Sequence, residues 1–189
     1  MLEENEIQHT STIYLSPYSL RLAEALSKKT QAPLSRVSLT NSGSEANELA
    51  FLLARQFTGE ATIVHLEHSY HGGSSATLAA CGQKTWRFSS LSNQDCIAAP
   101  APYCYRCPFG KKPNQCALEC VDGLERTLET QTHGKIAAFI AEPILGVGGF
   151  IDPPPEYFQR ASELIRHYGG LYISDEVQTG MGRGGEHFY

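Results

Sequence analysis

Apolar residues along the chain recur alternately at helical and at strand spacing, and the alternation predicts an α/β architecture. Ser16 and Pro17 suit the start of a helix that carries Tyr18, Leu22, Ala25 and Leu26 on one face. It ends near Lys28 and Lys29, cations that favour a helix C-terminus. Residues 36–40 (RVSLT) read as a short strand. After a turn at Asn41, Ser42 and Gly43, the positions Ala46, Leu49, Ala50, Leu53, Ala54 and Phe57 follow the spacing of a core-facing helix, which Gly59 stops. Residues 62–66 (TIVHL) read as a second strand, leading into the polar turn 67–73. Residues 81–116 carry prolines, cysteines and little periodicity, the pattern of a long loop or insertion. A helix resumes at Ala117 with Leu118, Val121, Leu124 and Leu128 inward. The apolar run 136–141 (IAAFIA) is then expected as a strand covered on both faces, ending at Glu142 and Pro143. Beyond a Gly- and Pro-rich stretch, Tyr157, Ala161, Leu164, Ile165 and Tyr168 form a further helix face, closed by Gly169 and Gly170. Residues 171–174 form the last strand, with Asp175 at its end. There is no internal repeat and no dividing linker. Ligands of open α/β sheets bind beyond the carboxyl ends of the strands, which directs attention to residues 41–45, 67–73, Glu142 and 175–178.

Composition narrows the function. The chain has 189 residues, enough for one sizeable core, and 15 Lys+Arg against 20 Asp+Glu give a net charge of −5. No overall basic field exists for a polyanion, so nucleic-acid binding is not expected. The longest purely apolar run, 136–141, is far shorter than the roughly 20 residues that cross a bilayer, and no membrane span is expected. The acidic start (MLEENE) lacks the order of a secretory signal, and the compartment expected from it is the cytoplasm.

Three turns offer chemistry. The first, 41–48 (NSGSEANE), lies between a strand and a helix, where Gly43 and Ser44 are suited to donate hydrogen bonds to a phosphate. The same residues also suit an ordinary N-cap made by Ser44, with Glu45 or Glu48 favouring the dipole. The second is Asp175, Glu176, Val177 and Gln178. A carboxylate at that buried rim needs a cationic or hydrogen-bonding partner, or else Asp175 only caps the next turn. In the third, Tyr70, His71 and Gly72, the aromatic ring is suited either to stack on a flat heterocycle or to pack.

Taken in this order, the pieces resemble the class III pyridoxal-phosphate-dependent aminotransferases of fold type I. The matching segments are NSGSEANE (41–48), HSYHG (68–72), AEPILGVGG (141–149) and GGLYISDEVQTGMGRGGEHF (169–188), preceded by QHTSTIYLSPYSLRLAEAL (8–26). The resemblance implies a mostly parallel sheet covered by helices, the incomplete large domain of a fold-type-I transferase. Residues 1–189 would be a partial cofactor domain with a Cys-rich insertion near 100–120.

The resemblance further implies pyridoxal 5'-phosphate as cofactor. Gly43 and Ser44 would hold its phosphate, and Tyr70 would lie on its ring. Asp175 would pair with its pyridine nitrogen, and Gln178 would bond its phenolic oxygen. Glu142 is similar to the family's acidic residue on the substrate side, making Asp175 and Glu142 the implied catalytic pair. His71 would support its loop rather than act as the general base a histidine beside a cofactor invites, and Arg183 would bind an anion or only pair with a carboxylate in a turn. The partners implied are an amino donor and a 2-oxo acid acceptor, with a homodimer for the full-length parent. The family's Schiff-base lysine lies C-terminal to the DEVQTG block, whereas Lys28, Lys29, Lys84, Lys111, Lys112 and Lys135 all precede it. The chain therefore reads as an internal piece of the family's large domain, inactive by itself.

Cys104, Cys107, Cys116 and Cys120 form a CxxC and a CxxxC pair. They suit either four zinc thiolates or unligated thiols with at most one bridge, and no metal is assigned. Beside the transaminase stand two alternatives: a racemase or phospho-lyase on the same scaffold, and a non-catalytic remnant with a zinc-stabilised Cys cluster.

Overall fold

The computed structural model describes residues 16–30, 33–87, 95–112, 115–185 and 187–189. The acidic start and residues 8–15 of the resembling segment lie outside them, as does Glu186. The chain separates into two compact units, Met1–Asn41 and Ser42–Tyr189.

In the first unit, helix α1 (Pro17–Lys29) forms where expected, with proline in its first turn and Lys28 and Lys29 in its last. Lys28 pairs with Glu24 at 2.6 Å, one helical turn away. The expected strand at 36–40 is absent: these residues carry no regular structure. Alternating side chains are not sufficient for a strand, because a ladder needs a neighbouring backbone.

The second unit is a four-stranded sheet in the order β2-β1-β3-β4, built from β1 (Ile63–Leu66), β2 (Cys96–Ala99), β3 (Ala138–Ala141) and β4 (Leu171–Ser174). Every pairing is parallel. Helices α2 (Gly43–Thr58), α3 (Ser75–Ala79), α4 (Glu119–Gln131) and α5 (Tyr157–His167) cover it. Because side chains alternate across a strand, the sheet divides its apolar residues between two cores. Val64, Leu66 and Phe139 meet Leu124 and Leu128 of α4 and Tyr157, Ala161 and Ile165 of α5. Ile63, Ala138 and Ile140 meet Phe51 and Ala54 of α2 and Ala79 of α3. The mostly parallel sheet covered by helices is thus as expected.

Strand β2 and helix α2 differ from their sequence reading, and the short helix α3 was not anticipated. Strand β2 lies inside the stretch read as a loop, because four residues at a sheet edge, half-exposed in the middle, carry no clean period. Helix α2 exists and ends at Gly59, whose φ of +74° suits glycine. Its buried stripe, however, is Asn47, Phe51 and Ala54, whereas Leu53 is 57% and Phe57 79% exposed. A polar residue in the inward stripe concealed the true face.

Register places the chemistry. Leu66 pairs with Ala99, and Ala141 with Ser174, so the strands end level and Glu142 and Asp175 follow them onto one edge.

Candidate active site

A cavity of about 200 Å³ opens at that edge. All six residues singled out in the sequence line it: Gly43, Ser44, Tyr70, Glu142, Asp175 and Gln178. His71, Gly72, Val147 and Val177 complete the wall. None of the described residues lining it is a lysine.

The helix start removes Ser44 from the capping role. The N-cap of α2 is Ser42, whose Oγ accepts from Glu45 N at 3.2 Å. Ser44 lies within the first turn, and its Oγ accepts from Gly73 N at 3.0 Å. A hydroxyl that accepts one bond still has its own proton to donate, and here the donor borders the cavity beside the positive end of the helix dipole. Gly72 permits this approach: its φ is +132°, and a Cβ there would stand 2.9 Å from Ser44 Cα.

Asp175 is buried, with 3% of its side chain exposed. Its Oδ2 lies 2.7 Å from His71 Nδ1 and accepts from Asn47 Nδ2 at 2.9 Å, while its Oδ1 accepts from Val177 N at 3.2 Å. The last bond is the turn contact anticipated from sequence, so Asp175 caps its turn and also faces the cavity. An ionised carboxylate only accepts, so Nδ1 of His71 carries the proton in this pair. The second amide proton of Asn47 goes to the His71 carbonyl at 2.9 Å, which makes one rigid unit of α2, the post-β1 turn and the post-β4 turn. Asn47 was missed in the sequence. Its signal was position, one and two turns before Phe51 and Ala54.

Glu142 follows β3 and spans two loops: Oε2 accepts from Tyr70 N at 3.0 Å and Oε1 from Gly146 N at 3.1 Å. Burial pushes its carboxyl above the usual range, against the pull of these two N–H groups and of His71. Tyr70 packs its ring 5.2 Å from that of Trp86, tilted by 52°. The side chain of Gln178 lies against Gly146, where a Cβ would meet its Cδ at 2.6 Å.

The four clustered cysteines line a separate, narrow cavity of about 20 Å³. Among the described residues no three Cys, His, Asp or Glu side chains converge to hold a metal. Burial pushes the Cys120 thiol up to about 11, and it raises Cys104 as well, so burial favours the protonated thiol over thiolate.

A family model described as "Aminotransferase class-III" matches residues 2–189. The chain belongs to the class-III aminotransferase family. It is 39% identical over 180 residues to alanine–glyoxylate aminotransferase 2 homolog 2, mitochondrial, of Arabidopsis thaliana, covering 95% of this chain and 36% of that protein. It is 36% identical over 172 residues to a leucine/methionine racemase of Thermococcus litoralis, covering 89% of this chain and 39% of that one. Among solved structures, an amine transaminase from an uncultivated Pseudomonas species in its pyridoxal-phosphate-bound form superimposes with a TM-score of 0.82 at 32% identity. That match covers 95% of this chain and 43% of the other. The chain therefore spans little more than a third of the length of the curated relatives it matches, and its sheet is that of the fold-type-I transaminases.

These relatives correct one expectation. The cytoplasmic compartment read from the acidic start does not stand, since the Arabidopsis relative is mitochondrial by name. Composition describes a folded domain, whereas targeting is carried by a separate segment read by a receptor.

Proposed function

We propose that this chain forms the cofactor-binding part of the large domain of a pyridoxal-phosphate-dependent aminotransferase, with residues 100–120 as a Cys-rich insertion. The carrying observation is that Ser44, beside a helix N-terminus, and Asp175, buried and held by three donors, border one cavity. The residue set fits the cofactor: amide and hydroxyl donors for a phosphate, an aromatic side chain for a ring face, and a fixed carboxylate for a ring nitrogen. The bound cofactor supplies an electron sink for the pair left at the substrate's α-carbon.

The residues of this chain provide the rest. Gly43 and Ser44 tether the phosphate away from the reacting carbon. Asp175, unable to turn because His71, Asn47 and Val177 fix both its oxygens, would hold the pyridine nitrogen and favour its protonated form. Tyr70 would lie against the ring, and Gln178 would bond the phenolic oxygen. Glu142 ties Tyr70 to Gly146 and so sets the width of the site on the substrate side. The substrates are an amino donor and a 2-oxo acid. The exposed Leu52, Leu53 and Phe57 of α2 suit a homodimer contact in the complete protein.

Equilibrium binding of pyridoxal 5'-phosphate, followed by absorbance and protein fluorescence, tests the reading. The chain should bind one equivalent, and Asp175→Asn should weaken binding about tenfold or more, since a charge-assisted bond is lost. Absence of saturable binding, or equal affinity in the variant, would refute it. A racemase reading is favoured by the Thermococcus relative and uses the same cofactor contacts. It predicts loss of optical activity from a single amino acid without a 2-oxo acid.

A further inference from the structure

The Cys-rich insertion contributes nothing to the cofactor cavity, yet four thiols meet in it. Cys104, Cys107, Cys116 and Cys120 line one cavity of about 20 Å³, room for about one water molecule, so no larger group separates them. They differ in access. Cys120 is buried in α4 against the core, Cys104 and Cys107 are half-buried, and Cys116 is exposed. The segment is pinned to both neighbouring helices. The Phe109 ring covers Gly123 of α4 so closely that a Cβ there would stand 2.5 Å from Phe109 Cζ. Lys111 pairs with Glu119 of α4 at 3.0 Å, and Arg160 of α5 donates to Ala117 O at 3.1 Å.

Backbone geometry singles out one pair. Cys104–Arg106 form a single 3₁₀ turn, and Cys107 follows it directly. Three residues per turn bring the side chains at positions i and i+3 into line, and a rise of about 2 Å per residue puts their Cα atoms roughly 6 Å apart. A disulfide spans about 4.4–6.8 Å between Cα atoms. Cys104 and Cys107 therefore share one face of the turn within that span. A tetrahedral metal needs three or four converging ligands, and no three converge among the described residues. The nearby charge suits thiol exchange. The Lys111 ammonium, which Glu119 holds above its usual range, also interacts with Cys116 and Cys107. A cation beside a sulfur promotes attack as the thiolate.

We propose that Cys104 and Cys107 are a redox dithiol that closes to a reversible disulfide, with a low-molecular-weight disulfide as the oxidant. The Cys107 thiolate attacks one sulfur of the oxidant, which forms a mixed disulfide and expels one small thiolate. The Cys104 sulfur then attacks the Cys107 sulfur and expels the second. The two cysteine protons pass to the two departing thiolates. The two electrons given up by the pair reduce one molecule of oxidant to two thiols. Buried Cys120 takes no part, and no turn aligns exposed Cys116 with either partner. Of the readings open to the cysteine pattern, this selects the single bridge.

The test incubates the reduced chain with glutathione disulfide, quenches it by alkylation and maps the six cysteines by peptide mass. Trypsin cuts after Arg106 and separates Cys104 from Cys107, so their bond appears as two joined peptides. The unaltered chain should yield that joined pair, and dithiothreitol should release it. Cys104→Ser should stop at one glutathione on Cys107, Cys107→Ser should form no intrachain bond, and Cys116→Ser should close as the unaltered chain does. Chain unfolded in urea should lose the selectivity and give mixed pairings. Failure of Cys104 and Cys107 to join in the unaltered chain would overturn the proposal, as would a bond to Cys116 or Cys120 in its place. One equivalent of zinc on the purified chain that blocks oxidation until chelated would overturn it too. Mapping the unaltered chain needs no variant, so a variant that does not fold leaves the outcome decided. The outcome is also independent of whether the chain binds pyridoxal 5'-phosphate.

Discussion

Asp175 holds its position through three donors from three places in the chain, and two of them were invisible to local reading. His71 is 104 positions away and Asn47 is 128, so neither contact leaves a trace in spacing. What was legible was the need: a carboxylate at a buried strand end has to be paired. His65 shows a buried polar group with a different consequence. It lies in β1 with its ring enclosed; Nδ1 donates to Leu66 O at 3.0 Å and Nε2 has no partner. Burial lowers its pKa to about 4. An unfolded histidine takes up its proton near pH 6.5, so the unfolded state binds more protons between those values. The stability that His65 contributes by staying neutral is complete above about pH 6.5 and is lost as the pH falls toward 4. The difference is on the order of 3 kcal/mol. Urea unfolding at pH 7 and pH 4.5 should show that loss in the unaltered chain and a smaller one in His65→Gln. Parallel losses in the two would contradict the assignment.

At the scale of elements, α2 separates what periodicity reveals from what it hides. Helical type and stop were legible from the apolar spacing and Gly59, whereas the start, read at Ser44, lies at Ser42. The inward face was not legible, because Leu53 and Phe57 outweigh Asn47 on any apolar count, yet Asn47 is the residue the sheet edge holds. Phe51 is 1% exposed, and Phe51→Ala should cost about 3–5 kcal/mol by leaving a cavity between α2 and the sheet. Phe57→Ser should change stability by less than about 0.5 kcal/mol. Denaturant midpoints of the two variants check this, and the reverse order would restore the face read from sequence. Strand β2 was hidden for a related reason: four residues at an edge are defined by their pairing with β1 and not by their own pattern.

For the whole molecule, the deciding feature is the level ending of parallel strands. It turns residues dispersed from Gly43 to Gln178 into the wall of a single cavity. The same cavity has no lysine in its described lining, so a cofactor bound to this chain should be held without a covalent bond. Borohydride treatment of the chain saturated with pyridoxal 5'-phosphate, followed by intact mass measurement, should yield no stoichiometric phosphopyridoxyl adduct. One adduct per chain would show that an amine reaches the ring.

Fold class and membership of the aminotransferase family were determined by the sequence itself. Strand and helix periods, caps and strand-end motifs are properties of neighbouring residues. The tertiary structure alone decided that Ser42, not Ser44, caps α2, that Asn47 and His71 hold Asp175, and that Arg183 and Gln178 border one cavity. Each of these depends on which distant backbone arrives at the sheet edge, and that is set by strand register and helix rotation, quantities that only packing fixes.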